Sequence, residues 1–364
     1  MKLTLIGGGG VRAPLFVMTL LRWQERIGAT ELCLMDIDER KLGLIGALCR
    51  ELAHRAGDPF TIRTTTDAQE ALTGADHVVT TIRAGFEQAR ATDERIALRH
   101  GVLGQETTGP GGFAMALRSI PAILGYAQLM QEVSPTAWMY NFTNPAGLVT
   151  QALRDAGFTR TIGICDGANG GQAAIASWAG VEMRQVRSEV FGLNHLSWCR
   201  QAWIEGQDVL PLALGDERFL REHQRLFAPE LVRMIGMHLN EYLYYYYYAE
   251  QALAAISGEG MTRGEEIVEL NHQLLEQLEV IGVERDPERA LRTFFGYEKR
   301  RGATYMHYAY GGQRIEEANR KQIFDADIPT EAGEGYAGVA LSIIEALESG
   351  KPLYTALNIP NEGS

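Results

Sequence analysis

The chain has 364 residues, 46% of them hydrophobic and 22% charged, which is ordinary for a globular fold of one large domain or two smaller ones with a sizeable core. A formal net charge of −12 and a pI near 5.3 disfavour nucleic acid and anionic membrane surfaces as partners, because either polyanion would repel the chain at long range; a small molecule is the expected partner. No uninterrupted apolar run reaches the roughly 18 residues of a bilayer span, the first strand starts at Lys2 without room for a signal peptide, and four sparse cysteines (Cys33, Cys49, Cys165, Cys199) suit a reducing compartment, so a cytoplasmic location is expected.

Along the first 165 residues, short runs rich in β-branched and aliphatic residues alternate with longer amphipathic stretches, the pattern of a parallel sheet with crossover helices. Strands are expected at residues 3–6, 31–35, 60–64, 77–82, 138–142 and 161–165. The pattern changes near residue 188, with strands expected at 190–195 and 199–204 and mainly helix from Phe219 onward. A capping box at Thr262-Arg263-Gly264-Glu265 marks a helix running to about Leu278. The fold class expected is therefore α/β: a Rossmann-type parallel-sheet domain over residues 1–165, resembling lactate and malate dehydrogenases, and a mixed α+β domain over 166–364 for substrate, metal and oligomerisation.

The cluster Gly7-Gly8-Gly9-Gly10-Val11-Arg12 stands directly after a buried strand and before a helix. Glycines there let the backbone approach a pyrophosphate that sits on the positive end of the helix. Two registers are open: Gly7 with Gly9 puts Arg12 at the third small position, and Gly8 with Gly10 puts Ala13 there. Asp36, closing the second strand, is placed to accept hydrogen bonds from ribose hydroxyls and favours NAD over its phosphorylated form.

Polar clusters follow at the strand ends where open α/β sheets hold ligands: Gly104-Gln105-Glu106-Thr107-Thr108-Gly109, Asn141-Phe142-Thr143-Asn144-Pro145, Gly163-Ile164-Cys165-Asp166-Gly167 and, further on, Gly192-Leu193-Asn194-His195. Taken singly, each reads as well as core packing or a turn. Together, a thiolate and an imidazole can hold a divalent transition metal with positions left for substrate oxygens.

These stretches, with Leu34-Met35-Asp36-Ile37-Asp38 and Asn240-Glu241-Tyr242-Leu243, resemble glycoside hydrolase family four, and within it the 6-phospho-β-glucosidases. The resemblance implies an NAD- and divalent-metal-dependent glycosidase, with manganese the expected metal. Such an enzyme oxidises the sugar at C3, removes the C2 proton, expels the leaving group, adds water and reduces the ketone back. It implies Cys165 and His195 as metal ligands, Tyr242 as the C2 base with its phenol pKa lowered by the nearby cation, and Asp166 as the general acid. Asp166 matches α-specific members, whereas β-specific ones more often carry asparagine there, so the anomeric preference stays open. Arg83 is expected at the cofactor together with Gly7 to Arg12 and Asp36, and Arg90, Glu106, Asn144 and Asn194 at the substrate.

Three departures from the family pattern bear on the substrate. Tyr244 stands where arginine is common, Val11-Arg12 replaces small hydroxyl residues after the glycines, and the segment from Lys351 resembles a stretch that normally continues further. A homodimer or homotetramer is expected. The competing readings are a 2-hydroxyacid dehydrogenase, which has no need of Cys165, and a non-catalytic NAD- or sugar-binding relative.

Overall fold

Short runs of aliphatic and β-branched residues, buried on both faces except in the edge strand at residues 61–65, build the first sheet of this computed structural model, which describes residues 1–258, 260–310, 323–331 and 333–357. The chain runs β1 (Lys2–Ile6), α1 (Ala13–Ile27), β2 (Glu31–Met35), α2 (Glu39–Arg55), β3 (Thr61–Thr65), α3 (Ala68–Leu72), β4 (His77–Thr80), α4 (Phe86–Arg99), α5 (Gly109–Val133), β5 (Trp138–Asn141), α6 (Ala146–Asp155) and β6 (Thr161–Gly163). All pairings are parallel, in the order β3-β2-β1-β4-β5-β6. That is the doubly wound dinucleotide-binding order, whose ligand crevice opens at the carboxyl ends where the order reverses, between β1 and β4. Ile6 registers with both Met35 and Thr80, so the loops leaving β1, β2 and β4 start at one level.

The expected strands appear with one systematic difference: β4, β5 and β6 stop one or two residues early. Thr81, Ile82 and Phe142 leave the sheet and line the crevice instead, while Thr81 and Phe142 keep backbone hydrogen bonds to Ile6 and Thr80. α5 is, by length and composition alone, apolar enough to cross a bilayer, although Arg118 interrupts it. It packs against α3, α4 and α6 within the fold.

Past β6 come α7 (Gly170–Ala179), β7 (Val186–Leu193), β8 (Leu196–Ile204), β9 (Gln207–Asp208), α8 (Leu210–Gly215), α9 (Glu217–His223), α10 (Pro229–Ile235) and β10 (His238–Leu239). β7, β8 and β10 form an antiparallel sheet, with β9 added on β8. The strand expected at 190–195 instead ends at Leu193. Asn194 and His195 form the hairpin loop, and His195, at φ 62°, has a left-handed backbone that a strand cannot hold.

The remaining helices are α11 (Tyr244–Tyr247), α12 (Ala249–Gly258), α13 (Arg263–Ile281), α14 (Pro287–Ala303), α15 (His307–Tyr310) and α16 (Gly335–Ser349). The Thr262–Glu265 capping box is formed at the start of α13. Leu270, Leu274 and Leu278 of α13, Leu291 and Phe294 of α14, and Ala340 and Ile344 of α16 share one core with Leu3, Phe16 and Leu34 of the first sheet and its helices. The C-terminal helices thus cover a face of the first sheet. Residues 358–364, the end of the segment that resembles the family's longer C-terminus, lie outside the described residues.

Candidate functional site

The glycine cluster opens the site. Gly7 has a left-handed φ of 96°, and a side chain there would meet the Thr81 carbonyl at 2.9 Å. Gly9 lies against Asp36 and donates its N–H to the carboxylate at 3.0 Å. The register with Gly7 at the tight turn and Gly9 at the close approach is therefore the one formed. In this register the third position falls on Arg12, which is exposed, while the adjacent Ala13 is buried. Gly8 faces away, where a side chain would strike Leu34 at 2.7 Å, and it is absent from the cavity wall. Burial raises the Asp36 carboxyl above its ordinary pKa, opposed by N–H donors from Asp38 and Gly9.

A cavity of about 490 Å³ runs from this loop to the polar clusters, lined among others by Gly7, Gly9, Gly10, Val11, Arg12 and Asp36 at one end and by Arg83, Arg90, Glu106, Asn144, His195 and Tyr242 at the other. Glycine backbone that can approach closely and an acid beside it fit a dinucleotide.

Glu106 sits at the centre of the far end, accepting from Arg83 Nη1 at 2.7 Å and Asn144 Nδ2 at 3.1 Å and pairing with Arg90 Nη1 at 2.7 Å. Burial alone would raise its carboxyl, but the two guanidiniums and the hydrogen bonds outweigh that and hold it well below the carboxylate range. Arg90 also reaches Glu94 at 2.8 Å. Arg83, expected at the cofactor, thus belongs to this acid cluster while still lining the shared cavity.

The loop carrying Glu106 is packed closely at both ends, where only glycine fits. A side chain at Gly104 would strike the Glu94 carbonyl oxygen at 2.1 Å, and one at Gly112 the Thr107 carbonyl oxygen at 2.2 Å.

Cys165 and His195 arrive from different sheets and meet, Sγ to Nε2, at 3.5 Å. That separation suits two ligands on one first-row metal ion. Burial raises the Cys165 thiol, with Asp166 adding to the rise and the Asn194 side chain and backbone N–H groups of Gly167 and Ala168 opposing it. Burial lowers the His195 imidazole to about 4. The pair is thereby kept neutral, and a cation would reverse the balance at the sulfur. Neither atom of the Asn194 amide otherwise finds a hydrogen-bond partner among the described residues. No group of three His, Cys, Asp or Glu side chains gathers around a common point among the described residues. A metal there would take its remaining ligands from substrate or solvent, as catalytic sites do.

Tyr242 stacks on the His195 ring, centroids 3.9 Å apart and planes 5° from parallel. The lowered phenol pKa expected from the sequence is not what the protein alone provides. Burial raises it, Glu241 and Glu106 add to the rise, and a hydrogen bond with Tyr305 opposes it. Tyr305 donates in turn to Glu241 at 2.8 Å. The following tyrosines pack: Tyr244 contacts Tyr245, Tyr248 and Tyr308 and lines neither of the site's cavities.

A second cavity, about 780 Å³, lies beyond His195 and Tyr242 and is lined by Asp166, Asn240, His223 and Arg225 among others. Arg12, His195, Tyr242 and Tyr305 line both cavities. Arg12 projects over the Phe142 ring at 5.6 Å. The sequence reading did not single out Thr107, Tyr305, Glu94 or Arg301, the last of which lines the first cavity. Thr107 was within reach, since it adjoins Glu106 in a distinctive block, but nothing local marks Tyr305 or Arg301.

A doubly wound sheet with a glycine-loop crevice that leads to a thiol–imidazole pair beside a stacked tyrosine defines an α/β protein of the dinucleotide-binding type. The family 4 glycosyl hydrolase model matches residues 2–181, and the model of that family's C-terminal domain matches residues 190–364. A probable 6-phospho-beta-glucosidase of Bacillus subtilis is 35% identical over 323 residues, covering 85% of this chain and 71% of that one. The Escherichia coli 6-phospho-beta-glucosidase is 34% identical, covering 76% and 65%. The structure of a Thermotoga maritima 6-phospho-beta glucosidase with manganese, NAD+ and glucose-6-phosphate superposes with a TM-score of 0.70 at 29% identity, covering 76% of this chain and 67% of that one. The chain belongs to glycoside hydrolase family 4, which sets aside the hydroxyacid dehydrogenase alternative. It spans about two thirds of the length of the two curated relatives named.

Proposed function

We propose that the protein is an NAD- and manganese-dependent glycosidase that cleaves 6-phospho-β-glucosides by oxidation at C3, elimination across C1–C2, water addition and re-reduction. The observation that carries this reading is Tyr242 stacked on His195 where both line the two cavities, with buried Cys165 3.5 Å behind on the same imidazole. Relatives named as 6-phospho-beta-glucosidases support the substrate class.

When bound, NAD+ would supply a hydride acceptor at C3 and the metal a Lewis acid for the adjacent sugar oxygens. Gly7, Gly9, Gly10 and Asp36 would hold the dinucleotide, and Cys165 and His195 the metal. Tyr242 takes the C2 proton as general base, its ring fixed in direction by the imidazole beneath it. Asp166, on the wall of the second cavity, donates a proton to the departing oxygen. Glu106 stays ionised between Arg83 and Arg90 and orients Asn144 toward the sugar. Arg12, at the junction of the two cavities, meets the substrate's anionic group.

The test follows the C2 proton. In deuterated water the parent enzyme is expected to exchange the C2 hydrogen of a 6-phosphoglucoside and to show a rate decrease with deuterium at C2. Tyr242→Phe, still holding NAD+ and manganese, should lose both exchange and turnover. Undiminished exchange in that variant would move the base to another residue, and no exchange in the parent would remove the elimination mechanism.

A further inference from the structure

His195 has a second contact that the proposed chemistry does not use. Its Nδ1 lies 2.7 Å from the Thr107 hydroxyl, on the side of the ring away from Cys165. A neutral imidazole carries one proton, and which nitrogen holds it decides which nitrogen has a lone pair to offer.

Three features fix the geometry of this contact. Thr107 is held by its backbone: Thr108 N–H donates to the Gln105 carbonyl at 2.9 Å, and Gly112 leaves room for the Thr107 carbonyl to press against α5. The ring is held by Tyr242 on its face and by the left-handed backbone of the hairpin loop. Cys165 Sγ lies 3.5 Å from Nε2, so the ring edge opposite Thr107 faces the sulfur. Nε2 can serve as a metal ligand only with its lone pair free, which puts the ring proton on Nδ1, where the threonine hydroxyl lies within hydrogen-bond reach as its acceptor.

We infer that Thr107 is a positioning residue that fixes His195 as the Nδ1–H tautomer and so presents Nε2, beside the Cys165 sulfur, as a ready ligand. The inference rests on the proposed metal role of Cys165 and His195. A hydroxyl fills the place that a carboxylate or carbonyl usually takes behind a metal-binding histidine, and losing such a partner typically weakens metal affinity about 10–100-fold.

The experiment uses the full-length protein with NAD+ bound, stripped of metal, in parent, Thr107→Val and Thr107→Ser forms. Long-range proton–nitrogen spectra, with the His195 signals assigned by their loss in His195→Asn, report the tautomer, and Mn2+ titration reports affinity. The expected results are an Nδ1–H ring in the parent, a mixture or Nε2–H in Thr107→Val with Mn2+ binding weakened at least tenfold, and both properties restored in Thr107→Ser. Thermal melting of the isosteric valine variant checks that the fold is kept. An Nε2–H ring in the parent overturns the inference, as does a valine variant with parental tautomer and affinity. A parent protein that shows the Nδ1–H tautomer but binds no Mn2+ refutes the proposed metal role and leaves the spectra to decide for or against Thr107.

Discussion

Replacing Arg90 by methionine tests how far the acid cluster depends on one guanidinium. Arg90 lies between two buried carboxylates, Glu94 at 2.8 Å and Glu106 at 2.7 Å, with side-chain exposures of 10%, 1% and 7% in that order. Methionine keeps most of the volume and removes the charge. Glu106 then retains Arg83 and Asn144, and Glu94 retains the Gly264 N–H. Removing one partner from a buried ionic network costs about 3–5 kcal/mol, because the remaining charge is left poorly solvated. Unfolding entropy of roughly 2.1 cal/mol/K per residue over 364 residues is about 0.8 kcal/mol/K, so the melting temperature should fall by about 4–6 °C. Arg90→Lys should recover only part of this, since an ammonium lacks the fork that serves two carboxylates at once. The native Glu106 carboxyl lies below its unfolded value, so its contribution is fully present above the unfolded pKa of about 4.3 and is lost as pH falls through the native value. With Arg90 gone the depression shrinks, and the acid loss should be complete at a higher pH than in the parent. Scanning calorimetry at pH 7 and along an acid series measures both effects. A methionine variant that melts within about 1 °C of the parent, or an identical acid profile, would refute the account.

Cys165→Ser should weaken Mn2+ binding by roughly a hundredfold or more, since it removes a ligand rather than an outer partner, with the far-ultraviolet circular dichroism unchanged; parental affinity in metal titration would exclude the sulfur as a ligand. Asp36→Ala should weaken NAD+ binding about tenfold or more through lost charge-assisted ribose hydrogen bonds, read by fluorescence titration, and it should narrow the preference over the phosphorylated dinucleotide. Gly112→Ala should destabilise the fold by about 1–3 kcal/mol, because the added carbon would lie 2.2 Å from the Thr107 carbonyl oxygen, whereas Gly125→Ala on the same helix meets open space and should be neutral or stabilising by up to about 1 kcal/mol. Equal melting shifts in the two glycine variants would contradict the close-approach argument.

The sheet was legible as parallel because strand runs and crossover helices alternate at local range; the order of the strands came only from the structure. Strand ends were less legible. Phe142 and Ile82 look like strand residues by composition, yet they serve the crevice. His195 looked like the end of a strand, and only its backbone conformation reveals the turn. Cys165, His195 and Tyr242 were expected in one site through the family resemblance, and the structure brings the three side chains together. Their partners were not expected, because each partnership spans the chain: Thr107 and His195 are 88 residues apart, Glu241 and Tyr305 are 64, and Glu94 and Gly264 are 170. Periodicity carries no information about contacts of that separation. The lowered pKa expected for Tyr242 belongs to the cation-bound site, whereas in the protein alone burial and nearby carboxylates act in the opposite direction.

The Glu94–Gly264 contact also explains why the site is built at the junction of early and late parts of the chain. Gly264 is the second residue of α13, and its N–H, at the positive end of that helix, points at the buried Glu94 carboxylate at 2.6 Å. A side chain at Gly264 would lie 2.8 Å from that carboxylate and 2.9 Å from Ala91, so only glycine lets α13 descend this far onto α4. From there the ionic chain continues through Arg90 to Glu106 and Arg83 at the floor of the cavity. The same helix sends Ile267, Asn271 and Leu275 into the cavity wall and Leu270, Leu274 and Leu278 into the core of the first sheet. Burying those leucines therefore sets the height of α13, and α13 sets where Glu94 and Arg90 stand. Arg90 then holds the carboxylate that orients Asn144. Packing energy from the C-terminal half is in this way converted into the position of polar groups supplied by the N-terminal half, and neither half alone contains the geometry on which the proposed chemistry depends.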